Sequence, residues 1–275
     1  MKITFSTCWY VLKAKFDKTV YETWILNLIT TIKKCNFVIY TDSNGKKDIL
    51  KLLNLHCIDL PNNFLIVLKS LDKFETYQYK DQWISNHDNN VLLNRYVDWK
   101  LNMLWSEKVY FVNETCNKKY FDTEFYGWCD IGYFRNRINK DSPLSTLVNW
   151  PNDEKVKSLK KGKIYYACIN NNKQYIQSLF RLIANKNIYG LPRNPIPENQ
   201  LSIAGGFFIV HKERVEWWKN TYEEKLSLYF KHNYLIKDDQ IIIADCVFSN
   251  LKNFNLCSEN NISYDNWFLF QRFLQ

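Results

Sequence analysis

Residues 21–45 read YETWILNLITTIKKCNFVIYTDSNG, and the junction in their middle decides the fold. Up to Cys35 the apolar residues recur at helical spacing, which predicts an amphipathic helix over 21–35. NFVIYTD, residues 36–42, is then a short, continuously apolar run of the kind found in strands buried on both faces of a parallel sheet. DSNG follows as a turn, with Gly45 in it. Upstream, KITFSTCWYVL (2–12) reads as a first strand; downstream, KKDILKLLNLH (46–56) reads as a helix and CIDLP (57–61) as a third strand. Strand–helix–strand–helix–strand is the pattern of a wound α/β sheet.

The remainder continues in kind. A long helix or two is expected between Asn90 and about Lys118, a strand over FYGWC into Asp130–Gly132, and another over KIYYACI (163–169). YIQSLFRLIANK is a helix and LPRNPIPENQ a Pro-rich loop. A strand from Leu201 carries a glycine pair and runs into a helix, KDDQIIIA opens another helix, and the aromatic tail YDNWFLFQRFLQ docks on the core. No internal repeat or flexible linker interrupts the chain, which reads as one compact domain over 1–275.

Composition narrows the function. Of 275 residues 46% are hydrophobic and 17% aromatic, enough for a substantial core and too apolar for a disordered chain. The net charge of +9 is scattered, with LKKGK at 159–163 its densest point, so no nucleic-acid partner is expected. A diffuse surplus still attracts a phosphorylated substrate. The abundance of Asn, Lys, Ile and Tyr follows from an AT-rich genome. Eight cysteines never fall within four residues of each other, which excludes a C-x-x-C zinc or redox motif and suits a reducing compartment. MKITFSTCWYVLK lacks the features of a signal peptide, and no run approaches the roughly 20 apolar residues of a membrane span, so a cytoplasmic location is expected.

Only seven glycines occur, against about 20 at ordinary usage, so each marks a backbone requirement. Gly127 and Gly132 flank Asp130, a carboxylate in an aromatic strand whose burial would be costly without a partner. Gly205 and Gly206 lie inside an apolar strand, where glycine is unfavourable unless something approaches the backbone closely. The two segments are expected to wall one pocket. Asp238 and Asp239 either face that pocket or simply start a helix, and His211 is a further, weaker candidate at a strand end.

WSEK at 105–108 and WCDIGY at 128–133 resemble the paired W-x-x-K and W-x-D-x-G-Y elements of the HtrL/YibB family, through Trp105, Lys108, Trp128, Asp130, Gly132 and Tyr133. LSIAGGFFIVHKERVEWW (201–218) and KDDQIIIA (237–244) are similar to the later half of GT-A type glycosyltransferases. The resemblance implies a GT-A-like (Rossmann-like) α/β fold, with a central mixed, mostly parallel sheet flanked by helices. It implies a nucleotide-binding half, 1–130, and an acceptor- and sugar-binding half, 131–275. The activity implied is a hexosyltransferase-type transfer in glycan biosynthesis, from a nucleotide-sugar (a UDP-sugar first) to a hydroxyl on a glycan or protein acceptor. The alternative is a non-catalytic glycan- or nucleotide-binding protein on a degenerate GT-A fold.

By the same resemblance Asp130, Asp238 and Asp239 are the catalytic candidates. Thr7, Thr41, Asp42, Lys108, Trp128, Gly132, Arg135, Gly205 and Gly206 would bind the nucleotide-sugar. A divalent cation, Mn²⁺ or Mg²⁺, would bridge the donor diphosphate at Asp130, because hard cations take carboxylate oxygens. Gly132 stands where many such enzymes have a second aspartate. The second ligand then comes from across the pocket, with Asp239 (or Asp238) supplying it, or Lys108, Arg135 or Arg137 replaces the metal.

Overall fold

The computed structural model describes residues 1–261 and 263–275. Among the described residues seven strands form one sheet: β1 Ile3–Trp9, β2 Asn36–Thr41, β3 Phe64–Leu68, β4 Phe125–Cys129, β5 Ile164–Cys168, β6 Ile203–His211 and β7 Phe254–Cys257. Nine α-helices accompany them among the described residues: α1 Lys18–Thr31, α2 Ser43–Leu55, α3 Lys80–Asn89, α4 Trp99–Lys118, α5 Asp153–Lys157, α6 Lys173–Ala184, α7 Lys212–Lys231, α8 Asp239–Ser249 and α9 Phe270–Phe273. The order across the sheet is β3-β2-β1-β4-β6-β5-β7. β1, β2, β3 and β4 pair in parallel, and so do β5 and β7; only β6 runs the other way, between β4 and β5. The architecture is therefore a mixed, mostly parallel α/β sheet flanked by helices.

The continuous apolar runs are explained by burial on both faces. In β2, Phe37 and Ile39 pack with α1, α2 and the C-terminal segment, while Val38 and Tyr40 pack on the opposite face with α4. β6 divides likewise, Phe207 and Ile209 to one core and Phe208 and Val210 to the other. The aromatic tail docks as expected, with Phe268, Phe270 and Leu274 buried.

Three local expectations are corrected. CIDLP is not a strand; the third strand is FLIVL, 64–68. Cys57 turns left-handed just after α2 (φ 54°), and Pro61 has no N–H for a ladder, whereas FLIVL is an aromatic and branched run that pairs with β2 throughout. The region 90–118 is not helical from Asn90: turns occupy 91–96, and α4 starts at Trp99, where the Asp98 carboxylate accepts from Leu101 N at 3.0 Å. Gly45 lies in the first turn of α2 rather than in a loop, with Asp42 accepting its N–H at 2.7 Å. β7 was not anticipated, because a four-residue edge strand carries little periodic signal.

α4 crosses the sheet with two adjacent buried charges. Glu107 accepts from the backbone N–H groups of Glu75 and Thr76, each at 3.0 Å, and from the Thr76 hydroxyl at 2.7 Å, with the Lys69 ammonium 3.5 Å away. Burial pushes its pKa up to about 7 against the pull of Lys69. Lys108, the next residue, turns instead toward the C-terminal end of β4.

A Cβ on Gly127 would stand 2.2 Å from the Phe208 carbonyl oxygen and 2.9 Å from the Phe5 ring. Gly127→Ala is expected to cost at least about 1–3 kcal/mol in urea unfolding. Gly162→Ala, which meets nothing within 4 Å, is expected to stay within about 0.5 kcal/mol of the wild type.

Candidate active site

The parallel strands β1 and β4 are neighbours, yet the chain leaves β1 toward β2 and returns later to β4 on β1's other side. Such a switch point opens a crevice beyond the strand C-termini. A cleft lies there. Its apolar part is lined by Trp9 at the end of β1 and Tyr10, Val11 and Leu12 from the loop that follows, with Tyr21, Leu104 and Trp128. Its polar part carries Gly205, Gly206, Asp238, Asp239, Asp265 and Arg137. Lys15, Phe16, Trp105, Lys108, Asp130 and Arg135 lie where the two meet or in the polar part.

β4 ends at Cys129, which leaves Asp130 at the mouth of the cleft, its backbone N–H donated to the Gly206 carbonyl at 2.9 Å. The side chain is 42% exposed, so the buried carboxylate expected from the sequence is corrected: strand β4 stops one residue too early to bury it. Asp239, at the first turn of α8, is buried with its side chain 5% exposed, and the neighbouring Asp238, also buried, caps that helix by accepting from Gln240 N at 3.2 Å.

Between the acids stands Lys108, 9% exposed. Its Nζ donates to the Gly205 carbonyl at 2.9 Å and lies 3.0 Å from Asp239 Oδ2 and 3.3 Å from Asp130 Oδ1. The Trp128 indole N–H donates to the same Asp130 Oδ1 at 2.6 Å, and the ring faces the ammonium at 5.8 Å. Burial lowers the Lys108 pKa, but Asp130 and then Asp239 outweigh it, and the ammonium stays charged well above the ordinary lysine range. Burial pushes Asp239 up to about 6, opposed by Lys108 and reinforced by Asp238.

The glycine pair accommodates this cluster. A Cβ on Gly205 would meet Asp239 Oδ2 at 2.9 Å, and one on Gly206 would meet Asp130 Oδ2 at 2.9 Å. What comes close to the backbone there is the chain's own pair of carboxylates.

Four acids line the cleft, and each already faces a base. Asp130 and Asp239 share Lys108, Asp238 faces Lys237 at 3.0 Å, and Asp265 faces Arg137 at 2.8 Å. Of the cations lining the cleft among the described residues, two pair with no carboxylate. Arg135 donates through Nε to the Gly132 carbonyl at 2.9 Å and stacks on Trp24 at 4.2 Å, with Phe268 and Phe16 beside it. Lys15 lies over Trp105 at 5.4 Å.

Of the sequence candidates, Lys108, Trp128, Asp130, Gly132, Arg135, Gly205, Gly206, Asp238 and Asp239 meet at this cleft. Thr7, Thr41 and Asp42 do not line it. Thr7 is buried inside β1, Thr41 donates its hydroxyl to the Trp9 carbonyl, and Asp42 caps α2. His211 also lies elsewhere, capping α7 against the Phe125 ring. Lys15, Phe16, Trp24 and Asp265 were not singled out; the rule that ligands sit beyond strand C-termini points to the loop after β1 and so to the first two.

The carboxylates do not fit a divalent cation. Such an ion needs several oxygen ligands at about 2.0–2.6 Å. The inner oxygens of Asp130 and Asp239 already converge on an ammonium, and no cluster of three acid, Cys or His side chains suitable for a metal occurs among the described residues.

No family model matches the chain, and no curated protein does, so the HtrL/YibB likeness rests on the residues that carry it. Among solved structures the chain is similar to the apo crystal structure of mouse xyloside xylosyltransferase 1. The match has 11% identity over 92% of this chain and 85% of that one, with a TM-score of 0.49. A likeness at that score carries no weight for activity or substrate. No helix among the described residues is long and apolar enough to cross a membrane.

Removing Lys108 strands a buried carboxylate, so Lys108→Ala is expected to cost roughly 3–5 kcal/mol at pH 7, read from urea unfolding. Asp239 accepts its proton more readily folded (about 6) than unfolded (near 4). Its contribution is therefore complete below about pH 4 and is lost as the pH rises through about 6. The stability difference between wild type and Asp239→Asn is expected to fall across that window; a difference flat in pH would contradict the assignment.

Proposed function

We propose that the protein is a GT-A-like glycosyltransferase, moving a sugar from a nucleotide-sugar to a hydroxyl acceptor. The observation that carries this reading is the pairing, in one cleft at a strand switch point, of uncommitted Lys15 and Arg135 with the Asp130–Lys108–Asp239 cluster. The whole chain, 1–275, serves as one domain. Residues up to Asp130 supply the nucleotide side, and β6, α8 and the C-terminal segment supply the sugar and acceptor side.

The aromatic part of the cleft suits a nucleobase, since Trp9, Tyr10, Tyr21 and Trp105 offer π-faces. Arg135 and Lys15 take the diphosphate, and Asp239 and the glycine-pair backbone face the sugar. In transfer, the bond between sugar C1 and the terminal phosphate oxygen breaks, and its electron pair leaves with the nucleoside diphosphate. The acceptor oxygen bonds to C1 and its proton passes to Asp130. Trp128 and Lys108 hold one oxygen of that carboxylate, and the side chain remains open to the cleft. Gly132 in place of a second aspartate favours the other reading, a protein that binds a nucleotide-sugar without turning it over.

A thermal-shift screen of UDP-, GDP- and CMP-sugars tests the reading. A hundredfold excess over Kd stabilises by about 2.7 kcal/mol, a shift of a few degrees. One nucleotide family is expected to shift the wild type, with the shift reduced in Arg135→Ala. Asp130→Asn is expected to keep the fold and donor binding while losing at least a hundredfold in transfer or donor hydrolysis. Donor binding without turnover by the wild type would favour the binding protein, and no shift from any donor would sink both readings.

A further inference from the structure

We infer that Lys108 is a built-in cation that takes the place of a divalent metal, so that the donor site operates metal-free. The inference rests on the transferase reading and concerns how its charges are balanced. A metal at the mouth of this cleft would draw its ligands from Asp130, Asp239, Asp238 and Asp265, the acids that line it. The first two direct oxygens at a single Nζ, at 3.3 and 3.0 Å, and the other two face Lys237 and Arg137. A divalent ion placed on the inner oxygens would sit in contact with an ammonium, and the two like charges repel in a water-poor site.

The ammonium is fixed where it is. Its stem lies in the buried stretch of α4, its third contact is the Gly205 carbonyl, and the Trp128 ring covers it. The metal's other task, neutralising the departing diphosphate, falls to Arg135 and Lys15, the cations of the cleft left without a carboxylate. Arg135 is stacked among Trp24, Phe16 and Phe268, which holds its fork in place while leaving its terminal nitrogens for phosphate oxygens. Lys108 thus orders the carboxylates, and the other two receive the leaving group.

The test begins with Mn²⁺ alone, followed by electron paramagnetic resonance on chelator-treated protein. Wild type is expected to leave Mn²⁺ free at 1 mM. Lys108→Ala, with two uncompensated carboxylates, is expected to bind one equivalent and to melt several degrees higher with Mn²⁺ than without. Should that variant not fold, the wild-type titration beside Asp130→Asn decides alone: one equivalent bound by wild type and lost in Asp130→Asn overturns the inference.

The second readout is the Kd of UDP, GDP and CMP with 1 mM Mn²⁺ and with chelator. A ratio under threefold for whichever nucleotide binds supports the inference, and a larger tightening by Mn²⁺ overturns it. If none of the three binds, the transferase reading fails, and the Mn²⁺ titration still decides what occupies the cation position. Activity retained in chelator by a protein that binds no Mn²⁺ would complete the case.

Discussion

One buried ammonium organises this molecule's cleft. Lys108 is carried by α4, Asp130 follows β4, Gly205 belongs to β6 and Asp239 opens α8, so four elements are fixed by three contacts at one nitrogen. Withdrawing such a charge from water costs several kcal/mol, and only the combined acceptors offset it. The glycine pair follows from that demand: two carboxylates reach the ammonium only because positions 205 and 206 have no side chains to stand in their way.

The reversed strand completes the arrangement. Beyond parallel strands, ligand-facing residues come from C-terminal ends, and Asp130 obeys that rule after β4. β6 runs the opposite way, so it is the start of the strand that reaches the cleft, delivering Gly205 and Gly206 before the chain plunges between β4 and β5. Its far end, with His211 paired to the first residue of β4, lies at the opposite end of the sheet, where the histidine caps α7.

Much of this was legible in the sequence because it was written in strong local signals. NFVIYTD and FYGWC are apolar on both alternations, and they became strands buried on both faces. Scarce glycines beside Asp130 and in β6 marked the cluster, and the adjacent acids of KDDQ separated into a cap, Asp238, and a buried partner of Lys108, Asp239. What was not legible depended on distance. Nothing local says that Asp130 stays half open, that Lys108 is buried, or that Arg135 stacks on Trp24, more than a hundred residues earlier. Thr7, Thr41 and Asp42 sat at plausible strand ends, but sheet packing and helix capping claimed their side chains first. CIDLP read as the third strand, but it is FLIVL, beginning seven residues later, that forms the ladder to β2.

Glu107 and Lys108 are neighbours on α4, about 100° apart around its axis, and each is pinned on a different side. Glu107 is tied to the backbone at residues 75 and 76, and Lys108 to the cleft acids. The helix therefore behaves as a keyed shaft. Inserting or deleting one residue ahead of Glu107 would turn both charges out of their seats together, and no repacking of the apolar faces would restore them. Substitutions can drift along the rest of α4, but its length between Asp98 and Glu107 is held fixed by electrostatics at one end of the segment and by the helix cap at the other.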